Sequence, residues 1–342
     1  MKKGVTMREI GAALGVSTVT ISKALSGKDG VSDAVREKII KTAQQMGYHY
    51  VPPAGAAEET PRREEIVGIL TPDRFFSSAS FYASLYKELL RQMVEVGMLG
   101  VLEIVTDEQE TSLSAPMIVA NGRVSALILM GQFEQSYVEM IMEAGLPTVL
   151  LDFYCDGPDA DAIVSDSLSG CYQLTRRLIE QGHRDIGFVG SVQCTTSIME
   201  RYSGYMRAMI FEGLPMRQEW LIEDRGADMK YLPQFELPQA LPTAFVCEND
   251  EIAMRLVAQL QKRGLRVPED VSVTGFDNFI YATLCSPPLT TYSVDQGRMA
   301  QVAVRRLQSR IKDGSEGPLR MIVGGWVVER ESTRALCAQE AE

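Results

Sequence analysis

Residues 5–27 read VTMREIGAALGVSTVTISKALSG, and this stretch predicts two short helices joined by a tight turn. Thr6 and Ser17 are residue types that cap the starts of helices, and Gly15 allows the positive φ angle that often ends one. Only three residues connect the two predicted helices. Two short helices with so short a connection are typical of a helix-turn-helix.

A third helix is predicted from Ser32 to Met46, where apolar residues recur at helical spacing. We expect one apolar side on the first two helices, covered by the third. Its predicted members are Ile10, Leu14, Val16, Ile21, Leu25, Val35, Ile39 and Ala43. The opposite side of the second helix presents small, polar and basic residues, which suit a DNA major groove. Spacing alone leaves open a three-helix packing module without a DNA role.

Charge is unevenly distributed along the 342 residues, whose net charge is −11. Residues 1–50 contain eight Lys or Arg and four Asp or Glu, whereas the remainder contains 26 and 41. A head of +4 is therefore joined to a body of −15. Because the attraction to nucleic acid is electrostatic, only the head is suited to contact phosphates.

Composition argues against several classes of function. There are two histidines, and the six cysteines lie far apart without a C-x-x-C pair, so we expect neither a metal site nor a disulfide framework. No G-x-x-x-x-G-K-[ST], G-x-S-x-G or H-E-x-x-H motif occurs, so we predict no enzyme, no catalytic residue and no cofactor. Without a bilayer-spanning apolar run or a signal peptide, we expect a cytoplasmic protein.

From residue 66 onward, short apolar runs such as IVGIL, SALILM and AFVCEN alternate with amphipathic helical stretches. This β-α-β-α order predicts parallel strands buried on both faces, and the number of runs predicts two doubly wound lobes. Ligands of such sheets bind beyond the carboxyl ends of the strands, so two facing edges form a cleft. The polar strand ends are Asp152, Asp166, Asp250 and Asp277.

The head resembles the LacI (lactose repressor) family of bacterial transcription regulators. Family heads read like VTxxDVAxxAGVSxxTVSRVLNG and then VSxxTRxKVxxAxxxLGY, and residues 31–48 here read VSDAVREKIIKTAQQMGY in the same register. The resemblance implies that Thr18, Val19 and Lys23 read bases. By its chemistry, Lys23 can reach guanine O6 and N7, and Thr18 and Val19 offer methyl groups to thymine. The residues that it implies hold phosphates are Ser17, Thr20, Ser22 and Ser32. Thr6, the first helix cap, completes the predicted DNA-binding set.

The body resembles the effector domain of the same family, which is similar to periplasmic sugar-binding proteins. Six motifs follow the family's order: QGHRDIGFVGS, RYSGYMRAM, CENDEIAMRL, VPEDVSVTGFDN, PPLTTYSVD and VVEREST. The resemblance implies that Arg201 and Asp250 bind a small effector, typically a sugar. Asp152 across the cleft and Phe81 near its mouth are further predicted contacts. The structural alternatives are an interlobe salt bridge for Arg201, a helix N-cap for Asp250, and ordinary packing for the other two.

Two segments depart from the family pattern. The family continues after the head into a hinge helix with a leucine wedge, but residues 49–65 read HYVPPAGAAEETPRREE, without the leucine or the usual asparagine. The prolines and glutamates favour a plain tether over a wedge in the minor groove. Residues 223–237 do not align, although in relatives this region contributes an aromatic ring to the sugar site. Asp277 and His183 are predicted to be structural.

These patterns predict an α/β protein with a three-helix head and two doubly wound parallel-sheet lobes of the periplasmic-binding-protein-like type I. The expected domains are residues 1–50 for DNA binding, 51–65 as an atypical hinge or linker, and 66–335 for effector binding and dimerisation. The first lobe is expected at about 66–164 plus 295–322, and the second at about 165–292 plus 323–335.

The predicted function is repression of transcription by a homodimer that binds a near-palindromic DNA operator. A small effector between the lobes, expected to be a sugar, controls this binding. The alternative is a cytoplasmic small-molecule binding protein with a weak or vestigial DNA-binding head. The sequence leaves open the effector's identity, the operator, and whether the effector releases DNA or promotes its binding.

Overall fold

The computed structural model describes residues 5–25, 30–46, 48, 65–76, 81–157, 160–226, 229–312 and 317–336. The chain divides into two compact units, one up to residue 63 and the other from residue 64. The predicted linker lies outside the described residues, except for its last position. Among the described helices, none is long and apolar enough to cross a membrane.

The described part of the first unit consists of three helices, α1 (Met7–Leu14), α2 (Thr18–Leu25) and α3 (Asp33–Gln45). Their fully buried apolar side chains are Ile10, Ile21, Ala24, Ile39 and Ala43. Val35 was expected in this core but is 38% exposed. The neighbouring Arg36 faces α2 instead, because its Nη1 donates to the carbonyl of Ala24 at 3.3 Å.

Local hydrogen bonds determine where α1 and α2 begin and end. Thr6 and Glu9 form a reciprocal capping box at the start of α1. Gly15 ends α1 in the left-handed region with φ 67°. Ser17 caps α2 by accepting a hydrogen bond from the backbone N–H of Thr20 at 3.1 Å. The helix boundaries therefore follow the capping residues that the sequence predicts.

Twelve strands are described in the second unit, and they form two six-stranded sheets. The first-sheet strands are β1 (Glu65–Pro72), β2 (Met98–Val105), β3 (Ala126–Met130), β4 (Thr148–Leu151), β5 (Asp161–Ser165) and β11 (Arg320–Val323). The second-sheet strands are β6 (Ile186–Val189), β7 (Leu221–Ile222), β8 (Ala244–Cys247), β9 (Ser272–Asp277), β10 (Thr290–Ser293) and β12 (Trp326–Val328). The spatial orders are β11-β5-β4-β3-β1-β2 and β12-β10-β9-β8-β6-β7. Each sheet, with the helices packed on it, is called a lobe below.

One strand pair departs from the predicted parallel arrangement. The pairings are parallel except that β12 runs antiparallel to β10, with Thr291 opposite Val328. β12 follows β11 of the other sheet after only two residues, so no helix separates these two strands. At the other edge, β2 is half-exposed rather than buried on both faces, because no described strand pairs with its outer side.

Helices pack on the sheets, and the chain passes between the two lobes after β5, β10 and β11. The helices are α4 (Phe81–Glu95), α5 (Asp107–Thr111), α6 (Met117–Ala120), α7 (Gln135–Met142), α8 (Ser167–Glu180), α9 (Thr196–Phe211), α10 (Asp250–Lys262), α11 (Ile280–Leu284) and α12 (Gln296–Lys312). Three connections between the lobes allow their separation to change while the strand ends keep facing each other.

Helices α8 and α9 approach each other at a glycine. A Cβ atom on Gly204 would lie 2.2 Å from the carbonyl oxygen of Leu168 and 2.9 Å from the backbone nitrogen of Tyr172. Both atoms belong to the backbone of α8, so neither can move aside as a flexible side chain would. Close packing of the two helices therefore requires a residue without a side chain at this position.

We expect Gly204→Ala to lower the free energy of unfolding of the second unit by about 1–3 kcal/mol, because overpacking forces α8 and α9 apart. The matched control is Gly297→Ala in the first turn of α12, where the nearest atom to an added Cβ is 3.7 Å away. That variant is expected to stay within about 0.5 kcal/mol of the parent. Urea unfolding followed by the fluorescence of Trp220 and Trp326 measures both, and equal midpoints would contradict the packing account.

Candidate effector cavity and DNA-binding face

The carboxyl ends of strands from both sheets line a cavity of about 130 Å³ in the second unit. The four predicted effector residues, Arg201, Asp250, Asp152 and Phe81, all line it. Asp152 follows β4 and Phe81 begins α4, so both come from the first lobe. Arg201 lies on α9 and Asp250 begins α10, so both come from the second. The structure thus brings together residues that lie far apart in the sequence.

Arg201 is 5% exposed and is held within the second lobe. Its Nη1 donates to the carbonyl oxygen of Glu248 at 2.7 Å and lies 3.3 Å from that residue's Oε2. Its Nη2 donates to Asp277 Oδ1 at 3.3 Å. The guanidinium also lies over the ring of Phe276, 4.1 Å from the centroid. Arg201 therefore makes salt bridges within one lobe, rather than across the cleft as the structural alternative supposed.

Asp250 joins three elements through one carboxylate. Its Oδ1 accepts a hydrogen bond from Thr291 Oγ1 at 2.6 Å, and its Oδ2 accepts one from the backbone N–H of Phe279 at 2.7 Å. The N-cap of α10 is Asn249, whose side chain accepts from the N–H of Ile252, so the cap alternative applies to Asn249 instead. Burial raises the pKa of Asp250 to about 7, against the lowering effect of these two hydrogen bonds.

Asp152 carries a buried oxygen that accepts no hydrogen bond from the described residues. The residue is 4% exposed, and its Oδ2 accepts from the hydroxyl of Tyr82 at 2.8 Å, whereas its Oδ1 has no such donor. Burial raises the pKa of Asp152, although the nearby Arg201 charge lowers it. Its φ of 66° lies in the left-handed region, where a non-glycine residue is strained and often functional. Asp152 thus presents a strained, buried acceptor to the cavity.

Sequence reasoning missed a second arginine at this site. Arg225 Nη2 donates to Glu248 Oε1 at 2.8 Å and to the hydroxyl of Tyr231 at 3.1 Å. Its Nη1 donates to Asp224 Oδ2 at 2.8 Å. Arg225 and Tyr231 come from the segment that did not align, and Tyr231 supplies an aromatic ring there. Glu248 was also missed, although its position directly after β8 is a strand-end signal that points to the cleft.

The pKa values of two more carboxyl groups are raised by burial more than the nearby guanidiniums lower them. Burial raises the pKa of Glu248, although Arg225 and Arg201 lower it. It raises the pKa of Asp277 well above the usual value, although Arg201 lowers it. Asp277, which was predicted to be structural, therefore belongs to the charged wall of the cavity. No group of His, Cys, Asp and Glu in the described parts of the chain is arranged to hold a metal ion.

In the first unit, the predicted base-reading residues lie on the exposed side of α2. Thr18, Val19 and Lys23 are exposed, and Val19 is 63% exposed although it is apolar. Thr20 and Ser22, predicted to hold phosphates, are half-buried beside them. Thr6, Ser17 and Ser32 are exposed and stand at or next to the starts of the three helices. The structure thus places the predicted set along one helix and at helix starts, where backbone N–H groups suit phosphates.

Family models match both units of the chain. Residues 6–50 match the bacterial regulatory proteins of the lacI family, and residues 175–333 match a periplasmic binding protein-like domain. The chain is 28% identical over 311 residues to the HTH-type transcriptional repressor PurR of Actinobacillus pleuropneumoniae, which covers 90% of this chain and 91% of the relative. It is 27% identical over 337 residues to the ribose operon repressor of Haemophilus influenzae, covering 97% and 99%.

Residues 6–50 thus match the DNA-binding domain of the bacterial regulatory proteins of the lacI family.

Solved structures share the fold of this chain. The transcriptional regulator CelR in complex with cellobiose has a TM-score of 0.68 at 25% identity, covering 96% of this chain and 99% of that one. The lac repressor dimer bound to operator and the anti-inducer ONPF has a TM-score of 0.68 at 21% identity, covering 97% and 100%. The predicted α/β architecture is confirmed, and the protein is a DNA-binding transcriptional regulator.

His183, the third residue of the motif QGHRDIGFVGS, has a structural environment. It is buried, with Nδ1 2.9 Å from Thr243 Oγ1 and Nε2 3.1 Å from the carbonyl oxygen of Arg334. Burial lowers its pKa to about 4, against the raising effect of the hydrogen bond with Arg334. Because the ring stays neutral at pH 7, it ties the residues after β12 to the second lobe without adding charge.

Glu248 holds both Arg201 and Arg225, so we expect Glu248→Gln to lower the free energy of unfolding of the second unit by about 2–4 kcal/mol. The matched control is Glu251→Gln, which removes only an ion pair with Arg255 one helical turn away. That change is expected to cost about 0.5 kcal/mol or less. Urea unfolding at pH 7 compares them. Equal losses for the two variants would show that the buried pairs add nothing beyond an ordinary helix-surface pair.

Proposed function

We propose that this lacI-family regulator is a homodimeric repressor that binds a near-palindromic operator and answers to a sugar in the cavity of its second unit. The observation that carries the proposal is that the four predicted effector residues, drawn from both lobes, line one cavity. The proposed functional domains are residues 1–50, 51–65 and 66–335. Because its proposed function is to bind DNA, we also propose that the protein is located in the cytoplasm.

The exposed side of α2 supports sequence-specific DNA binding. The side chain of Lys23 is long enough for its ammonium group to donate hydrogen bonds to guanine O6 and N7. The methyl groups of the exposed residues Thr18 and Val19 are suited to contact the methyl group of thymine. Hydroxyls of Ser17 and Ser32 at helix starts suit phosphates, which position the head without reading sequence. One such head contacts only a few base pairs. Two copies on half-sites about one helical turn apart supply the missing specificity.

The polar groups of the cavity support a sugar effector. Planar guanidinium and carboxylate groups pair well with neighbouring hydroxyls, and aromatic rings such as Phe81 pack on sugar faces. CelR was solved with cellobiose, and one relative is named a ribose operon repressor. A ligand that contacts both lobes favours one distance between them. It changes the affinity for DNA only as far as it binds the DNA-binding conformation more or less tightly than the other conformation.

Lys23→Ala should cost about 1–3 kcal/mol of affinity for the best operator and relax preference at one base pair, because it removes a base contact. Ser32→Ala should weaken binding to all sequences similarly. The operator is selected from random DNA with the full-length protein, and affinities are measured at one salt concentration. Lys41→Ala, an exposed change on α3, is the control and should bind as the parent does.

Two results would count against this reading of the head. Uniform loss over all sequences from Lys23→Ala would mean that Lys23 contacts only phosphate. Failure of the parent protein to select any sequence would favour the alternative function, a small-molecule binding protein with a vestigial head.

Arg201→Lys should keep operator binding but lose the response to effector, because lysine keeps the charge but lacks the planar fork that holds Glu248 and Asp277 in the cavity wall. The expected loss of effector affinity is about 2–4 kcal/mol. The effector used is the sugar that raises the melting temperature of the parent most in a screen. Arg207→Lys on the exposed side of the same helix is the control. If Arg201→Lys responds fully, the cavity is not the effector site.

A further inference from the structure

The cavity has more buried carboxyl groups than buried cations. Five carboxyl groups form or directly support its charged wall: Asp152, Asp224, Glu248, Asp250 and Asp277. Two buried guanidiniums face them, Arg201 and Arg225. Arg330 adds a partly buried cation near Asp250, but its guanidinium donates to Asn278 and to the carbonyl of Leu289. The described residues therefore leave this wall with an excess of negative charge.

The arginines of the cavity have their terminal nitrogens engaged by the protein. Nη1 and Nη2 of Arg201 donate to Glu248 and Asp277, and those of Arg225 donate to Asp224, Glu248 and Tyr231. Arg74, which also lines the cavity, donates to Glu110 and to the carbonyl of Gln132. An anionic ligand would have to compete with existing ion pairs for each of these groups, and it would add to the negative charge.

Asp152 Oδ1 is the acceptor that a ligand can satisfy. Asp152 lines the cavity, and its buried Oδ1 makes no hydrogen bond to the described residues. An unsatisfied buried acceptor costs free energy until a donor reaches it. A neutral hydroxyl supplies the donor but leaves the excess charge, whereas a charged N–H group supplies the donor and compensates the charge. Burial raises the pKa values of Asp152, Glu248, Asp250 and Asp277, and a ligand cation beside them would favour their charged forms.

Aromatic rings beside Asp152 suit the same kind of ligand. Phe81 and Tyr82 line the cavity with ring centroids 5.4 Å apart in an edge-to-face arrangement. The rings of Phe75 and Tyr231 already carry protein cations, since Arg74 lies 5.0 Å and Arg225 4.5 Å from their centroids. A cation over an aromatic face is attracted by the ring's quadrupole, most strongly where water is excluded.

We infer that the effector of this cavity carries a protonated amine, as an amino sugar does, and that its ammonium group donates a hydrogen bond to Asp152 Oδ1. The inference rests on the proposed function, because it assumes that an effector binds in the cavity. It narrows the ligand from sugars in general to those with a positive charge, and it assigns to Asp152 the recognition of that charge.

The test compares matched sets of probes on the full-length protein by titration calorimetry. Each set contains a hexose, its 2-amino derivative, the acetylated amine and the hexose 6-phosphate, in the gluco, galacto and manno series. In the series that binds, the amino sugar should bind about tenfold more tightly than the hexose, because a charge-assisted hydrogen bond is stronger than a neutral one. The phosphate should bind more weakly than the hexose. A hexose or acetylated amine that binds as tightly as the amino sugar would overturn the inference.

A matched pair of variants separates the charge of Asp152 from its shape. Asp152→Asn should abolish the tenfold preference, so that this variant binds the amino sugar and the hexose with equal affinity, because the amide carries no charge to favour an ammonium group. Glu143→Gln, an exposed change after α7, should keep the preference. Melting temperatures of both variants check folding. If Asp152→Asn folds and keeps the preference, another group recognises the charge and the assignment is wrong.

The same titrations separate this inference from the proposed function. If hexoses bind and amino sugars do not, the proposal of a sugar effector is supported, and the inference that the effector carries a positive charge is wrong. If no probe of any charge binds, the sugar effector and the inference both fail.

Discussion

The buried carboxylate of Glu248 is the interaction on which the cavity depends. It lies at the end of β8 and holds Arg201 from α9 and Arg225 from residues 223–237. A buried charge without partners costs several kcal/mol, so neither arginine can leave without a large penalty. The charge cluster therefore joins three segments of the second lobe into one rigid wall, and a ligand meets groups that are already oriented.

The first lobe contributes the opposite wall through Asp152, Tyr82 and Phe81. Near the cavity, Gln132 of the first lobe accepts hydrogen bonds from the backbone N–H and the hydroxyl of Thr196, both at 3.1 Å. Thr196 begins α9, the helix that carries Arg201. The hydrogen bonds between Gln132 and Thr196 already favour a small separation of the lobes. A ligand that binds both walls favours the same small separation. Such a ligand shifts a population that exists without it.

Sequence patterns predicted the parts that depend on local chemistry. Capping residues located α1 and α2, and long apolar runs located the central strands. Strand β10, with the sequence TTYS, was missed because buried threonines and serine there are satisfied by tertiary partners rather than marked by hydrophobicity. The inward side of α3 was predicted correctly at Ile39 and Ala43 but wrongly at Val35, because Arg36 contacts α2 in its place. The four predicted effector residues of the cavity came from sequence motifs. The pairing of Arg201 with Asp277 and the position of Arg225 at the cavity could not be predicted, because they depend on contacts between residues far apart in the sequence. The effector roles of these residues stay a prediction.

We expect occupancy of the cavity and binding of DNA to be coupled. The most direct measurement is calorimetric titration of the best-binding sugar into the full-length protein, without operator and with saturating operator. Linkage requires that operator change sugar affinity by the same factor as sugar changes operator affinity. We expect a factor of about 5–150, equal in both directions. Equal sugar affinity with and without operator would contradict it.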